Sequence, residues 1–99
     1  MKNSAIYPGS FDPFTNGHLD ILKRAVQMFD RVVVTVAVNQ KKKSVFTGEE
    51  RVELIKEVIR EEPWNDKVVV EQFTGLLIDY ARQKKINVLL RGVRQISDF

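Results

Sequence analysis

Residues 32–38 read Val-Val-Val-Thr-Val-Ala-Val. β-Branched side chains favour extended backbone, and a run that does not alternate apolar with polar suits a strand covered on both faces. Strands of that kind belong to parallel sheets, whose connections must be long crossovers, usually helical. The flanking sequence supplies them. Ser4–Tyr7 is a short apolar run closed by a turn and predicts the first strand. From Gly17, the apolar residues Leu19, Leu22, Ala25, Val26 and Phe29 recur at helical spacing, with Lys23, Arg24 and Gln27 on the other face. Thr15 or Asn16 is expected to cap that helix.

The second half repeats the alternation. Thr47-Gly48-Glu49-Glu50 reads as a capping box with Thr47 as N-cap and Glu50 at N3. Its helix carries Val52, Ile55, Val58 and Ile59 on one side, with Pro63 expected to end it. Lys67–Phe73 predicts a third strand. Gly75 precedes a helix from Leu76 to Lys84 or Lys85, with Leu77, Ile78 and Ala81 expected in the core. Val88-Leu89-Leu90 predicts a fourth strand. The order β-α-β-α-β-α-β implies an α/β fold, a Rossmann-like doubly wound parallel sheet with right-handed crossovers, in one domain over residues 1–99. The sequence ends at Ser97-Asp98-Phe99, a few residues past a strand and without a closing helix. It is therefore expected to be the N-terminal portion of a larger domain, truncated at the C-terminus.

Composition removes several function classes. There is no Cys and a single His, which excludes disulfides, Cys-based metal sites and His clusters. Met1–Ser4 meets Pro8 too soon for a signal peptide, and the longest apolar run is far too short to span a membrane. A cytoplasmic location without membrane partners is expected. The net charge of +3 favours an anionic partner. Nucleic acid is not expected, because the basic residues sit in loops among acidic helices with no aromatic-interleaved stripe.

The anion site is read from Tyr7-Pro8-Gly9-Ser10-Phe11-Asp12-Pro13-Phe14-Thr15-Asn16-Gly17-His18. Two Pro and two Gly impose turns here, between a strand and a helix. His18 falls in the first helical turn, where unpaired N–H groups and the positive dipole end favour anions. Ser10 adds a hydroxyl, while Asp12 before Pro13 reads as turn chemistry rather than a metal ligand. Ligands of such sheets bind outside the carboxyl ends of strands. Three polar clusters fall there: Ser10 to His18, Lys41 to Lys43, and Arg91 with Arg94. Neither G-x-x-x-x-G-K-[ST] nor G-x-G-x-x-G occurs, which argues against a P-loop ATPase and a dinucleotide enzyme.

Thr15-Asn16-Gly17-His18 matches the (T/H)-x-G-H signature of the nucleotidyltransferase superfamily, and the longer Tyr7–His18 string resembles the bacterial phosphopantetheine adenylyltransferases. The resemblance extends through Lys42-Lys43, Phe46-Thr47, Glu49-Glu50-Arg51, Phe73 to Ala81 and Leu90 to Arg94, ending in Ser97-Asp98-Phe99. It implies adenylyl transfer from ATP to 4′-phosphopantetheine, giving dephospho-coenzyme A and pyrophosphate in coenzyme A synthesis, with Mg²⁺ and in a homohexamer. It implies His18 as the transition-state stabiliser. Ser10, Phe11, His18, Gly92, Val93 and Arg94 fall where the family contacts ATP, and Ser10, Lys42, Leu77 and Arg91 where it holds the second substrate. Ser10 stands where Thr is commoner, keeping the hydroxyl. The sequence ends before a Glu and a Ser-rich ATP motif of the family, so weak ATP binding and little turnover are expected of these 99 residues alone. Two alternatives stay open: another T-x-G-H enzyme, such as a cytidylyltransferase, and a phosphate-binding module without turnover.

Overall fold

The structure is a computed structural model that describes residues 3–38 and 46–91. Three strands, β1 (Ser4–Gly9), β2 (Arg31–Ala37) and β3 (Val68–Phe73), alternate with helices α1 (Asn16–Met28), α2 (Gly48–Ile59) and α3 (Leu77–Lys84). The strands pair in parallel in the order β1-β2-β3, with Tyr7 opposite Val34 and Val34 opposite Val70. The β-branched run is the central strand: Val32 to Val36 are all buried.

The two faces of the sheet are covered by different helices, as a doubly wound sheet requires. Tyr7, Val32, Val34, Val36 and Val70 pack with Leu22, Ala25 and Val26 of α1 and Val52, Ile55 and Ile59 of α2. On the opposite face Ile6 and Val33 pack with Ala81 of α3, joined by Val69, Leu77, Tyr80 and Ile86. Pleating explains the division, since alternate residues of each strand point to opposite faces.

Four expectations are modified. Residues 88–90 form a single parallel bridge, Ile6 to Leu89, rather than a full strand. Ile6 N–H donates to the Val88 carbonyl (2.9 Å) and Leu90 N–H to the Ile6 carbonyl (2.8 Å). Val88 and Leu89 remain 37% and 44% exposed, because nothing among the described residues covers their outer side. The segment nevertheless lies beside β1, away from β2, so chain order reverses at β1. In α2, Val58 is 44% exposed. The buried line runs through Arg51, Val52, Ile55 and Ile59, which leaves Val58 at its edge. In α3, Ile78 is 57% exposed. Leu77, Tyr80 and Ala81 take the sheet-facing side and rotate Ile78 outward. Helix α2 also stops at Ile59 with Arg60 as C-cap, ahead of Pro63.

The α3 face holds a polar chain. Thr35 Oγ1, fully buried in β2, lies 3.3 Å from the Val33 carbonyl and 3.4 Å from the Tyr80 hydroxyl. That hydroxyl donates to Glu71, which also pairs with Lys84 at 2.6 Å. Burial pushes the Tyr80 phenol up, and the Glu71 carboxylate that accepts its proton pushes it further, to about 12. Burial alone would raise Glu71 as well. Hydrogen bonds from Lys84 and Tyr80, with the Lys84 charge, outweigh that and hold it below its ordinary 4.5.

A phenol that keeps its proton more tightly when folded stabilises the fold fully below its unfolded value, and that stability is lost as pH rises through the folded value. Thermal stability should therefore fall between pH 10.0 and about 12. Tyr80→Phe should flatten that alkaline limb. Melts across this range check it, and an alkaline limb unchanged by the substitution contradicts the assignment.

Candidate nucleotide-phosphate site

The carboxyl ends of the strands form one edge, since Gly9 lies opposite Val36 and Ala37 opposite Phe73. The loop after β1 turns over this edge. Ser10 is exposed, and Phe11 follows in the left-handed region at φ 49, with its side chain 2% exposed. Such a φ is uncommon for a bulky residue and holds only where surroundings enforce it. Here they do. The Phe11 ring meets Tyr7 edge-on at 5.2 Å, Phe14 at 5.4 Å and the His18 ring edge-on at 5.0 Å. Gly9 makes room for it: a Cβ there would stand 2.9 Å from Phe11 Cζ.

Thr15 caps α1, and His18 occupies N3. The Thr15 hydroxyl accepts from His18 N–H (3.4 Å), and Thr15 N–H donates to His18 Nδ1 (2.9 Å). This is a capping box in which imidazole replaces the usual carboxylate. It has a chemical consequence. A nitrogen that accepts from a backbone N–H carries no proton, so in the neutral ring the proton resides on Nε2. His18 thus presents an N–H donor beside the first turn of α1. No acidic residue lies in that turn, whereas α2 opens with Glu49 and Glu50. Unpaired N–H groups, the dipole and a donor imidazole there favour an anion.

The remaining candidates divide. Arg91 is exposed and lies two residues beyond the Leu89 bridge, at the carboxyl edge. Leu77 is half-buried and packs against the second core cluster, while its neighbour Leu76 is 68% exposed as the α3 N-cap. Phe11 serves the core with its side chain, which leaves its backbone for any ligand contact. Lys41 to Lys43, with Lys42 among them, and Gly92, Val93 and Arg94 lie outside the described residues.

Two connections were not foreseen from the sequence. The Asp12 carboxylate accepts from Phe46 N–H at 3.0 Å, so it binds across the fold as well as serving its own turn. Arg51 is 4% exposed and donates to the carbonyls of Ser10 (2.6 Å), Ala37 (3.2 Å) and Thr47 (3.2 Å). The available signal was position: Arg51 stands in line with Ile55 and Ile59 on the buried stripe of α2. Among the described residues, no group of three or more His, Asp or Glu comes together to hold a metal ion.

A parallel sheet wound on both faces, with a Gly/Pro loop and an acid-free helix N-terminus at its carboxyl edge, defines the class: a Rossmann-like α/β fold. The Cytidylyltransferase-like family model matches residues 6–99, and the chain belongs to that family. It is 52% identical over all 99 residues to a protein of Leptospira biflexa named phosphopantetheine adenylyltransferase. It is 56% identical over 95 residues to one of the same name from Clostridium kluyveri. The chain spans 60% and 56% of the lengths of those two relatives. A bifunctional NMN adenylyltransferase/ADP ribose pyrophosphatase from Francisella tularensis, crystallised with AMP and a Mn ion, superposes with a TM-score of 0.64 at 27% identity. That match covers 85% of this chain and 25% of the other. A lipopolysaccharide core biosynthesis protein from Thermoplasma volcanium shares the fold, with a TM-score of 0.67 at 23% identity over 90% of this chain and 73% of its own.

Gly9→Ala tests the packing of the loop. The new methyl displaces the Phe11 ring, and overpacking of this kind costs about 1–3 kcal/mol. Urea melts should show that loss, and an unchanged midpoint would contradict the tight approach.

Proposed function

We propose that this chain forms the phosphate-binding half of an enzyme that transfers the adenylyl group of ATP to 4′-phosphopantetheine. The observation that carries the chemistry is the His18 geometry, an imidazole whose Nδ1 accepts from Thr15 N–H at a helix N-terminus and which therefore carries its proton on Nε2. The identity of the second substrate rests on the names of the relatives. In this reading a phosphate oxygen of 4′-phosphopantetheine attacks the α-phosphorus of ATP. One P–O bond forms as the bond to the β-phosphate oxygen breaks, and pyrophosphate leaves with the electron pair. His18 Nε2–H donates to the oxygens on which charge accumulates, a contribution greatest in the transition state. No covalent intermediate is required, so positioning supplies much of the rate.

Ser10 offers its hydroxyl and Phe11 its backbone to the phosphates, and Arg91 a guanidinium fork to the pantetheine phosphate. Lys42, Gly92, Val93 and Arg94 retain the roles implied by resemblance. An apolar arm finds more surface on exposed Leu76 than on half-buried Leu77. Mg²⁺, which in this reading would arrive with the nucleotide, would supply charge neutralisation at the phosphates. The described residues form no cage for it, and the Asp12 carboxylate is engaged with Phe46 N–H. A hexamer and a cytoplasmic location complete the reading. No described helix is long and apolar enough to cross a membrane.

The test is pyrophosphate release by the whole enzyme of which this chain is proposed to form part, with 4′-phosphopantetheine and either ATP or CTP. Turnover is expected with ATP, and His18→Ala should lower kcat by about 10²–10³-fold, the usual effect of removing one such donor. Turnover with CTP alone would transfer the reading to a cytidylyltransferase. A His18→Ala enzyme as fast as the parent would remove His18 from the chemistry.

A further inference from the structure

Arg51 is buried and charged, yet none of the ion pairs among the described residues includes it. Burying a guanidinium without a carboxylate is costly unless its N–H groups are satisfied. Here carbonyl oxygens take up the N–H groups of Nε and Nη1, and those carbonyls belong to three separate pieces of the site. Nη1 bonds Ser10 in the loop after β1 and Ala37 at the carboxyl end of β2, and Nε bonds Thr47, the N-cap of α2. All three segments meet at the carboxyl edge of the sheet. A planar fork fixes distance and direction at once, which an ammonium on a flexible stem does not.

We propose that Arg51 is a positioning residue for the phosphate site, setting the conformation of the Ser10–Phe11 loop and, through the Phe11 ring, the placement of His18. The proposal rests on the adenylyl-transfer reading for its kinetic test only. The link runs through contiguous contacts. The Ser10 carbonyl held by Arg51 is that of the peptide leading into Phe11, whose φ of 49 persists only while its neighbours enforce it. The Phe11 ring then supports the His18 ring at 5.0 Å. Releasing the Ser10 carbonyl lets the Phe11 backbone relax, which moves the ring under His18. A displacement of about 1 Å in a catalytic group is enough to cost on the order of 10²-fold in rate.

The experiment compares Arg51→Lys and Arg51→Met with the parent in the whole enzyme of which this chain is proposed to form part, by two readouts. The first is the proton resonances of the His18 ring without substrate, which sense the Phe11 ring current. The second is steady-state pyrophosphate release with ATP and 4′-phosphopantetheine. A positioning role predicts shifted His18 resonances in both variants. It also predicts kcat lowered at least tenfold with KM for ATP changed less than threefold, and no restoration by the charge-conserving Lys. Folded variants with parental His18 resonances and kcat within threefold would overturn it. So would a kcat that Lys restores in full, because charge rather than the fork would then be responsible. If the parent itself releases no pyrophosphate, the adenylyl-transfer reading fails, and the His18 resonances still decide the role of Arg51.

Discussion

The hydrogen bond from Thr15 N–H to His18 Nδ1 joins the fold to the proposed chemistry. It completes the capping box that starts α1, so the helix needs the imidazole at N3 in its Nδ1-acceptor form. The same bond leaves Nε2–H as the donor. Capping and catalysis are usually weighed as rival accounts of a His in a first helical turn. Here one geometry makes the cap and also suits the proposed chemistry, since the Nδ1-acceptor tautomer is set by backbone before any ligand arrives. Preorganisation of this kind spares reorganisation at the moment of reaction.

The sheet determines where this bond is placed. A buried parallel strand of β-branched residues forces crossovers on both faces, with α1 and α2 on one side and α3 on the other. The loops after β1 and β3 then leave from the same edge, and a reversal of strand order such as that at β1 is where ligands of these sheets bind. Phe11 anchors the first loop to the core from beneath. Asp12 and Arg51 tie it sideways to Phe46 and to the carbonyls of Ala37 and Thr47. The loop is thus held by buried side chains at several points, although Ser10 itself is exposed.

Local rules were legible in the sequence. The Val32–Val38 run, the Thr47–Glu50 capping box and the spacing of Leu22, Ala25 and Val26 all appear as read, because each depends on residues within a turn or two of one another. Errors fall at stripe edges: Val58 and Ile78 are apolar but rotated toward solvent, and only the rotation of the helix on the sheet decides that. What the sequence concealed is long-range. The bonds of Arg51 to Ser10 and of Asp12 to Phe46 span 41 and 34 residues, and no local pattern encodes them. The left-handed Phe11 was equally hidden, since its conformation is imposed by packing against Gly9, Tyr7 and His18. Around the candidate site, Ser10 and His18 stand out in a motif, whereas the exposure of Leu76 and the packing of Leu77 follow only from the rotation of α3 on the sheet.

The most direct measurement is the nitrogen chemical shifts of the single His ring, recorded near neutral pH without ligand and again with ATP. The account predicts the neutral tautomer with the proton on Nε2 in the free protein, and a perturbation centred on Nε2 when the nucleotide binds. A ring protonated on Nδ1, or shifts indifferent to ATP, would contradict the claim that the Thr15 cap prepares His18 as a phosphate donor.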